Sequence, residues 1–324
     1  MALIAIVIAL LLEQLRPLGV AQRYLRAWSR WVASNVDAGT PWQGWLGWVL
    51  AVLLPAALVT GVHLIALWLG GALLALAWNV AVLYATLGFR QFSHHFTVIR
   101  DALENGDEER ARQLLAQWQG VDASQLSRAE IVRHVIEYSV LAAHRHVFGV
   151  MAWYCALAPL GLGPAGAVLY RNADFVQRFW REDAAGQHFP VSDASCACSA
   201  AAWRVMDWLP ARLTALGAAI VGSFEEAIDC WRNFAGRFAD PNDGVILAAT
   251  AGAIGVRLGG SALQAAGSAQ VQPPNPDAAA VAAPNLLGAT PELGHLAQVV
   301  GLVWRMVALW LLLLVLLTLA HVLR

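Results

Sequence analysis

The sequence predicts a mostly α-helical, polytopic integral membrane protein with a helical cytoplasmic body and a C-terminal membrane anchor. Three observations carry this reading. Only 13% of the 324 residues are charged, whereas ordinary soluble domains hold ~25%. Residues 38–89 contain no Asp, Glu, Lys or Arg, which suffices for two spans of ~20 residues each. Finally, Leu296–Leu323 is an apolar run broken by one charge, Arg305.

The elements follow in order. Ala2–Leu12 is apolar, with Glu13, Arg16, Arg23, Arg26 and Arg30 after it. A secretory signal places its positive charges before the apolar core and a small-residue cleavage site after it, so a retained short membrane or interfacial helix is expected. In the second apolar block Gly70-Gly71 marks a turn or close-packing point, and His63 and Asn79 are expected to hydrogen-bond between helices. From Arg90 to Arg145 the chain turns polar and helix-prone. One helix ends at Asn105-Gly106, the next opens on Asp107-Glu108-Glu109, and Ser127 with Glu130 forms a capping box for a third.

Arginines flanking the double span place residues 13–41 and 90–145 in the cytoplasm of a bacterial inner membrane, by the positive-inside rule. Val147–Tyr170 is uncharged but interrupted by Pro159, Gly161, Gly163 and Pro164. Two half-helices folding back to the cytoplasmic side are expected, a single span being the alternative. Leu213–Phe224 is too short to span and reads as a packed or interfacial helix. Gln264–Gly294 has the composition of a flexible linker. The resulting division is 1–89 for N-terminal membrane helices and 90–262 for a helical body containing the membrane-dipping segment 147–170. A linker over 263–295 and a C-terminal transmembrane helix over 296–324 complete it.

A formal net charge of −1 argues against a nucleic-acid partner. All 21 basic residues are arginine, so Schiff-base chemistry, a lysine nucleophile and a Walker-A lysine are excluded. Cys155, Cys196, Cys198 and Cys230 do not make a disulfide framework at this length. Cys196-Ala197-Cys198 has no second pair to complete a zinc site, so no metal site is expected. His94, His95, His134, His144 and His146 are read as polar residues of a membrane-proximal face, with Glu137 on the same helical face as His134.

The most specific stretch is Pro241-Asn242-Asp243-Gly244, a turn signal, running through small residues into Gly255-Val256-Arg257-Leu258-Gly259-Gly260. With Leu209-Pro210-Ala211-Arg212-Leu213 upstream, it resembles the CobD/CbiB family of late cobalamin assembly. That family carries a Pro-Asn-Ala-Gly turn, then Gly-Val-Arg-Leu-Gly-Gly, after a Leu-Pro-Ala-Arg-Leu motif. The resemblance covers about residues 84–260. It implies amide formation between a corrinoid carboxylate and an aminopropanol-type amine, with ATP and magnesium as cofactors if the chain is enzymatic.

Carried over position by position, the resemblance implies catalytic roles for Asp122, Glu137, Asn172 and Asp174. It implies ligand binding by Asn242, Gly244, Arg212 and Arg257. The departures are as informative. A family acid falls on Arg145, another on Arg204, a glutamate falls on Leu247, and the N-terminal Gly-Asp-Pro and His-Pro-Val signature is absent near residues 13–22. Arginines for acids would convert a metal–phosphate site into a pocket for an anionic ligand without magnesium, through Arg145, Arg204 and Arg257. Met206-Asp207-Trp208-Leu209-Pro210 also resembles AmpE, a membrane protein linked to β-lactamase regulation. A non-catalytic, AmpE-like sensor is therefore the alternative to a cobinamide-phosphate synthase-like enzyme. Expected partners are the lipid bilayer and a corrinoid or other anionic ligand; self-association is left open.

Overall fold

The computed structural model describes residues 2–15, 21–120, 122–186, 191–259 and 288–322. His188, Gly260 and most of the expected linker lie outside the described residues. Helices dominate, and among the described residues the β-type pairing is confined to an isolated parallel bridge between Val256 and Ala289. Contacts group the chain into two compact units, each made of two sequence segments. Unit 1 holds residues 1–90 and 145–210, and unit 2 holds residues 91–144 and 211–324. This grouping is discontinuous, whereas the sequence reading drew consecutive segments.

Unit 1 contains α1 (Ala2–Leu15), α2 (Ala21–Val36), α3 (Pro41–Trp48), a π-helical turn (Val49–Leu53) and α4 (Leu54–Thr86). After the chain returns, it adds α8 (Gly149–Leu157), α9 (Ala165–Gly186) and α10 (Asp193–Met206). Thr40 caps α3 and Pro41 occupies its first turn, where a missing N–H costs nothing. Residues 41–86 form one of two stretches long and apolar enough to cross a membrane. They do not run straight. Gly71 adopts φ 62° and ψ −153° inside α4, a backbone state open to glycine. The Trp78 indole N–H donates to the Val59 carbonyl at 3.2 Å, whereas 19 residues along a straight helix would separate them by ~28 Å. Two antiparallel arms meeting at Gly71 result, as the Gly70-Gly71 pair foretold.

The segment 147–170 is likewise a helical hairpin and not one span. Pro159 and Pro164 interrupt the ladder, Gly161 and Gly163 turn at positive φ, and α8 returns as α9. Close backbone approach holds the hairpin: a Cβ at Gly166 would overlap the Trp153 carbonyl, and one at Gly149 the Tyr170 ring. Its tip meets the first arm of α4. The Thr60 hydroxyl donates to the Leu162 carbonyl at 3.3 Å, and Gly163 lies against the buried His63 ring. Ala56, Val82, Ala165 and Val168 form the apolar layer beneath. His63 therefore packs against the turn glycine, and its Nδ1 has no hydrogen-bond partner among the described residues.

Unit 2 contains α5 (Phe89–Glu104, from residue 91), α6 (Glu108–Gln119), α7 (Arg128–Ala143) and α11 (Trp208–Val221, from residue 211). It continues with α12 (Phe224–Phe234), α13 (Pro241–Ile254) and α14 (Leu293–Val322). Asp107 caps α6 by accepting from the Arg110 N–H, and both halves of the Ser127/Glu130 capping box on α7 are made. The core gathers Leu103, Leu115, Ile131, Val135, Ile136, Ile246 and Leu296 from five helices. The pair α12 and α13 approaches closely because a Cβ at Gly252 would overlap the Glu226 carbonyl. The second membrane-length stretch, Leu293–Ala320, is most of α14, which opens three residues before the boundary expected from sequence. The protein is a mostly α-helical membrane protein.

Gly163 supplies a test of the α8–α9 hairpin. At φ +58° an alanine costs ~1–2 kcal/mol by backbone conformation alone, and its Cβ also overlaps His63. Gly163→Ala should lower thermal stability by at least that much. In a double-mutant cycle with His63→Ala the steric part of the loss should vanish; simple additivity would place the His63 ring elsewhere.

Candidate functional site

Helix α7 carries the central acid of unit 2. Ile131, Val132, Val135, Ile136, Ser139, Val140, Ala142 and Ala143 are buried on nearly all sides of it, and Glu137 lies among them at 2% exposure. One Glu137 oxygen accepts the Gly259 backbone N–H at 2.7 Å, and the Arg133 Nε lies 3.7 Å from the same oxygen. The other oxygen is buried with no hydrogen-bond partner among the described residues. Burial pushes the carboxyl up to about 7, and the Gly259 N–H and Arg133 offset only part of that. Neighbouring His134 is driven the other way, to about 4, by burial and then by Arg133, so it stands neutral.

The glycine-rich motif is what Glu137 holds. Pro241-Asn242-Asp243-Gly244, read from sequence as a turn, is the first turn of α13. Asp240 caps it by accepting from the Asn242 and Asp243 N–H groups, and Pro241 sits at the position that tolerates a missing donor. Asn242 is buried, and its side-chain oxygen accepts from Arg212 at 3.2 Å. Gly244 has no room for a Cβ, since the Ala235 carbonyl and Phe238 occupy that space. The helix ends at Gly255 with φ 67°, and the chain then extends. In that extended run Val256 and Leu258 point into the core while Arg257 faces outward, the alternation a strand imposes. Arg257 donates through Nε to the Gly288 carbonyl at 2.8 Å and makes no ion pair with Asp240, which caps α13.

Unit 1 holds the opposite electrostatic arrangement. On α9, Arg171, Asp174 and Arg178 stand at i, i+3 and i+7, one face of the helix. Asp174 is 1% exposed and pairs with Arg171 at 3.0 Å and with Arg178. Burial works to raise the Asp174 carboxyl, but Arg178, Arg171 and Arg145 outweigh it and hold it below its usual range. The same three arginines, after burial, keep His146 neutral. Beside them the Tyr170 hydroxyl donates to Asp207 at 2.7 Å, and the Tyr170 ring lies 5.1 Å from Trp203. The Asn172 side-chain nitrogen is buried without a partner among the described residues.

The residues proposed from sequence fall into groups. Glu137, Arg212, Asn242 and Gly244 are on the packed side of unit 2, with Arg257 on its surface. Asp122 stands apart on an exposed loop, where it accepts the Ser124 N–H at 3.0 Å. In unit 1, Asn172, Asp174 and Arg145 share the charged cluster, whereas Arg204 is exposed at the end of α10. Asp207 turns its carboxylate to Tyr170. The histidines are dispersed: in unit 2, His95 stacks on Trp118 and His144 meets the Thr214 hydroxyl at 2.9 Å. Sequence reasoning left out Arg133, Arg171 and Arg178 as site residues. The i, i+3, i+7 spacing around Asp174 was the available signal.

Two tests follow. The folded protein holds the Glu137 proton more tightly than the unfolded chain, whose carboxyl has the ordinary value of 4.5. Stability from this group is therefore complete below about pH 4.5 and is lost as pH rises to about 7, a fall of ~3 kcal/mol. Glu137→Gln should flatten that fall in denaturation curves taken at pH 5 and pH 8; an equal slope in the variant would contradict the assignment. Asp174→Asn leaves two arginines without their carboxylate and should cost about 3 kcal/mol. Adding Arg171→Met should restore part of the loss.

Comparison with known proteins places these features in a family. Residues 2–285 match the profile of the CobD/Cbib protein family. The cobalamin biosynthesis protein CobD of Stutzerimonas stutzeri (strain A1501) is 30% identical over 286 residues, 86% of this chain and 84% of that relative. The protein of the same name from Chromobacterium violaceum is 35% identical over 191 residues, 59% of this chain and 58% of the relative. That from Mycobacterium tuberculosis (strain ATCC 25618 / H37Rv) is 31% identical over 214 residues, 59% and 62% of the two chains. The match thus spans most of the first relative and under two thirds of the other two. No solved structure matches the chain. The chain belongs to the CobD/Cbib protein family.

Proposed function

We propose that this chain performs a CobD-type step of cobalamin assembly at the cytoplasmic surface of a bacterial inner membrane. The reaction is amide formation: the nitrogen of an aminopropanol-type amine bonds to the carboxyl carbon of a corrinoid carboxylate, whose departing oxygen would leave as phosphate after activation by ATP. The observation that carries this reading is Glu137, a buried carboxyl with one free oxygen and an affinity for protons near pH 7. An amine must lose a proton to attack a carboxyl carbon, and a base titrating near the working pH is best matched to take it. Glu137 is also tied directly to the motif loop that names the family, through the Gly259 N–H. Arg257, outward on that loop, supplies a cation for an anionic group of the corrinoid.

ATP and magnesium are the cofactors the resemblance implies. The carboxylates offer a poor fit to a magnesium ion, because Asp174 is engaged by Arg171 and Arg178 and Glu137 leans toward its neutral form. No step is routed through that ion. In unit 1 the excess of arginine over carboxylate around Asp174 suits a phosphate or carboxylate bound directly by guanidinium groups. The membrane placement rests on the α4 hairpin and α14, with the segment 147–170 dipping to the level of Thr60 and His63. Nothing in the relatives named above supports the AmpE-like regulator.

The test is complementation of a strain lacking its own cobinamide-phosphate synthase, scored as growth on cobalamin made from cobyric acid. Growth is expected with the wild-type chain and is expected to disappear with Glu137→Gln and with Asn242→Ala. Growth with both variants would remove the site assignment. Absence of growth with a wild-type chain recovered from the membrane would remove the enzymatic reading.

A further inference from the structure

Helices α14 and α12 bring a pair of opposite charges to the foot of the membrane span. A cleft of about 470 Å³ in unit 2 is lined by Gln298, Gly301 and Arg305, which share one face of α14 at i, i+3 and i+7. Glu226 from the first turn of α12 and Gly255 at the end of α13 line the other side. Arg305 spends its Nε on the Gly301 carbonyl at 3.2 Å, and no carboxylate among the described residues lies within ion-pair distance of it. Arg305 and Glu226 thus face one cleft with opposite charges that are not joined.

The level of this cleft is set by what surrounds it. Residues 306–320 of α14 hold no charged side chain and would cover ~22 Å, most of a hydrocarbon layer. Immediately before them stand Arg305 and the exposed Trp304, the residue types that occupy the headgroup level. Helix α11 runs beside α14, with Gly217 placed so that a Cβ would lie 3.5 Å from the Met306 methyl. Its exposed row of Leu213, Leu216 and Ile220 leads to Phe224, two residues from Glu226. An apolar track therefore descends from the cleft along the span.

We propose that this cleft binds a phospholipid with a zwitterionic headgroup, of the phosphatidylethanolamine type. Arg305 and Gln298 take the phosphate, and the acyl chains follow the α11 track. Glu226 takes the primary ammonium, assisted by the negative carbonyl end of α13. Isolated charges beside hydrocarbon are costly, and a ligand carrying the complementary pair neutralises both at once. A purely anionic headgroup would meet Glu226 and the carbonyl end unfavourably. The quaternary ammonium of phosphatidylcholine has no N–H to give. This inference rests on the placement of α14 in the membrane and is independent of the corrinoid chemistry.

The experiment is native mass spectrometry of the full chain purified from membranes and offered phosphatidylethanolamine, phosphatidylglycerol and phosphatidylcholine of equal acyl length. Wild type should retain phosphatidylethanolamine about tenfold over the other two, the factor expected for one matched charge pair. Arg305→Gln should abolish the preference. Glu226→Gln should instead move it toward phosphatidylglycerol, a change that general misfolding does not produce. Gly301→Leu, at a position with open space around it, should fill the cleft and lower retention without unfolding the chain. An unchanged preference in both Arg305→Gln and Glu226→Gln would overturn the proposal. So would soluble phosphoethanolamine binding lipid-free protein as tightly as the lipid does, since the occupant would then be a small molecule. Recovery of the chain outside the membrane fraction would remove the premise, whatever the outcome of complementation.

Discussion

A carboxylate taken out of water must either be matched by cations or give up its charge, and Asp174 and Glu137, two of the acids buried among the described residues, take different routes. Asp174 keeps its charge because Arg171 and Arg178 stand beside it on the same helical face. Glu137 has one backbone N–H and a more distant Arg133, which are too little to offset burial, and it keeps its proton to about pH 7. The difference assigns them different chemistry. Asp174 is an anchor for guanidinium groups, whereas Glu137 is a group that can change its protonation state. The core of unit 2 is arranged around the second, since α7 is buried along most of its length and Glu137 joins it to the segment that follows α13.

Much of this was legible in the sequence where local chemistry decides the outcome. Asp107 and the Ser127/Glu130 box marked helix starts because side-chain oxygens satisfy orphan amides wherever the helix lies. Gly70-Gly71 marked the turn in α4 because an uncharged run of that length had to fold back. Pro241-Asn242 misled for a local reason. The same residues suit a turn or a first helical turn, and Asp240 one position earlier tips the choice by capping. The tertiary features stayed hidden. Arg257 points outward because the backbone extends after Gly255, and the periodicity of its neighbours does not reveal that change. Glu137 was marked by sharing a helical face with His134 but was given a role only through resemblance, because an acid in a helix looks alike whether it faces water or a core.

Small residues explain how so apolar a chain packs. Lipid tails are as apolar as leucine, so membrane helices gain little by hiding apolar surface and rely on close contact instead. In unit 1, Gly149 and Gly166 let α8 and α9 touch backbone to side chain and backbone to backbone. In unit 2, Gly252 does the same for α13 against α12, where a larger residue would overlap the Glu226 carbonyl. The small-residue run 248–253 therefore has a packing role over its whole length, as its complete burial requires. What is left for function in that motif is its two ends: Asn242 at the start, paired to Arg212, and the extended Val256–Gly259 segment held by Glu137.

The acid-to-arginine replacements gain a physical meaning from this arrangement. Arg145 lies close enough to Asp174 to help keep it ionised, so it adds a third cation to a site that already holds two. The three guanidinium groups outnumber the carboxylates of Asp174 and of Asp207, which lies beside them on Tyr170. An excess of guanidinium groups over carboxylates favours an anion over a metal ion, and the planar fork of arginine has the geometry to meet the oxygens of a phosphate or carboxylate. Arg204 is exposed at the end of α10, whereas Trp203 takes the buried position beside Tyr170. One replacement thus reshapes the field of a buried site and the other decorates a surface, although the sequence presents them as equivalent changes.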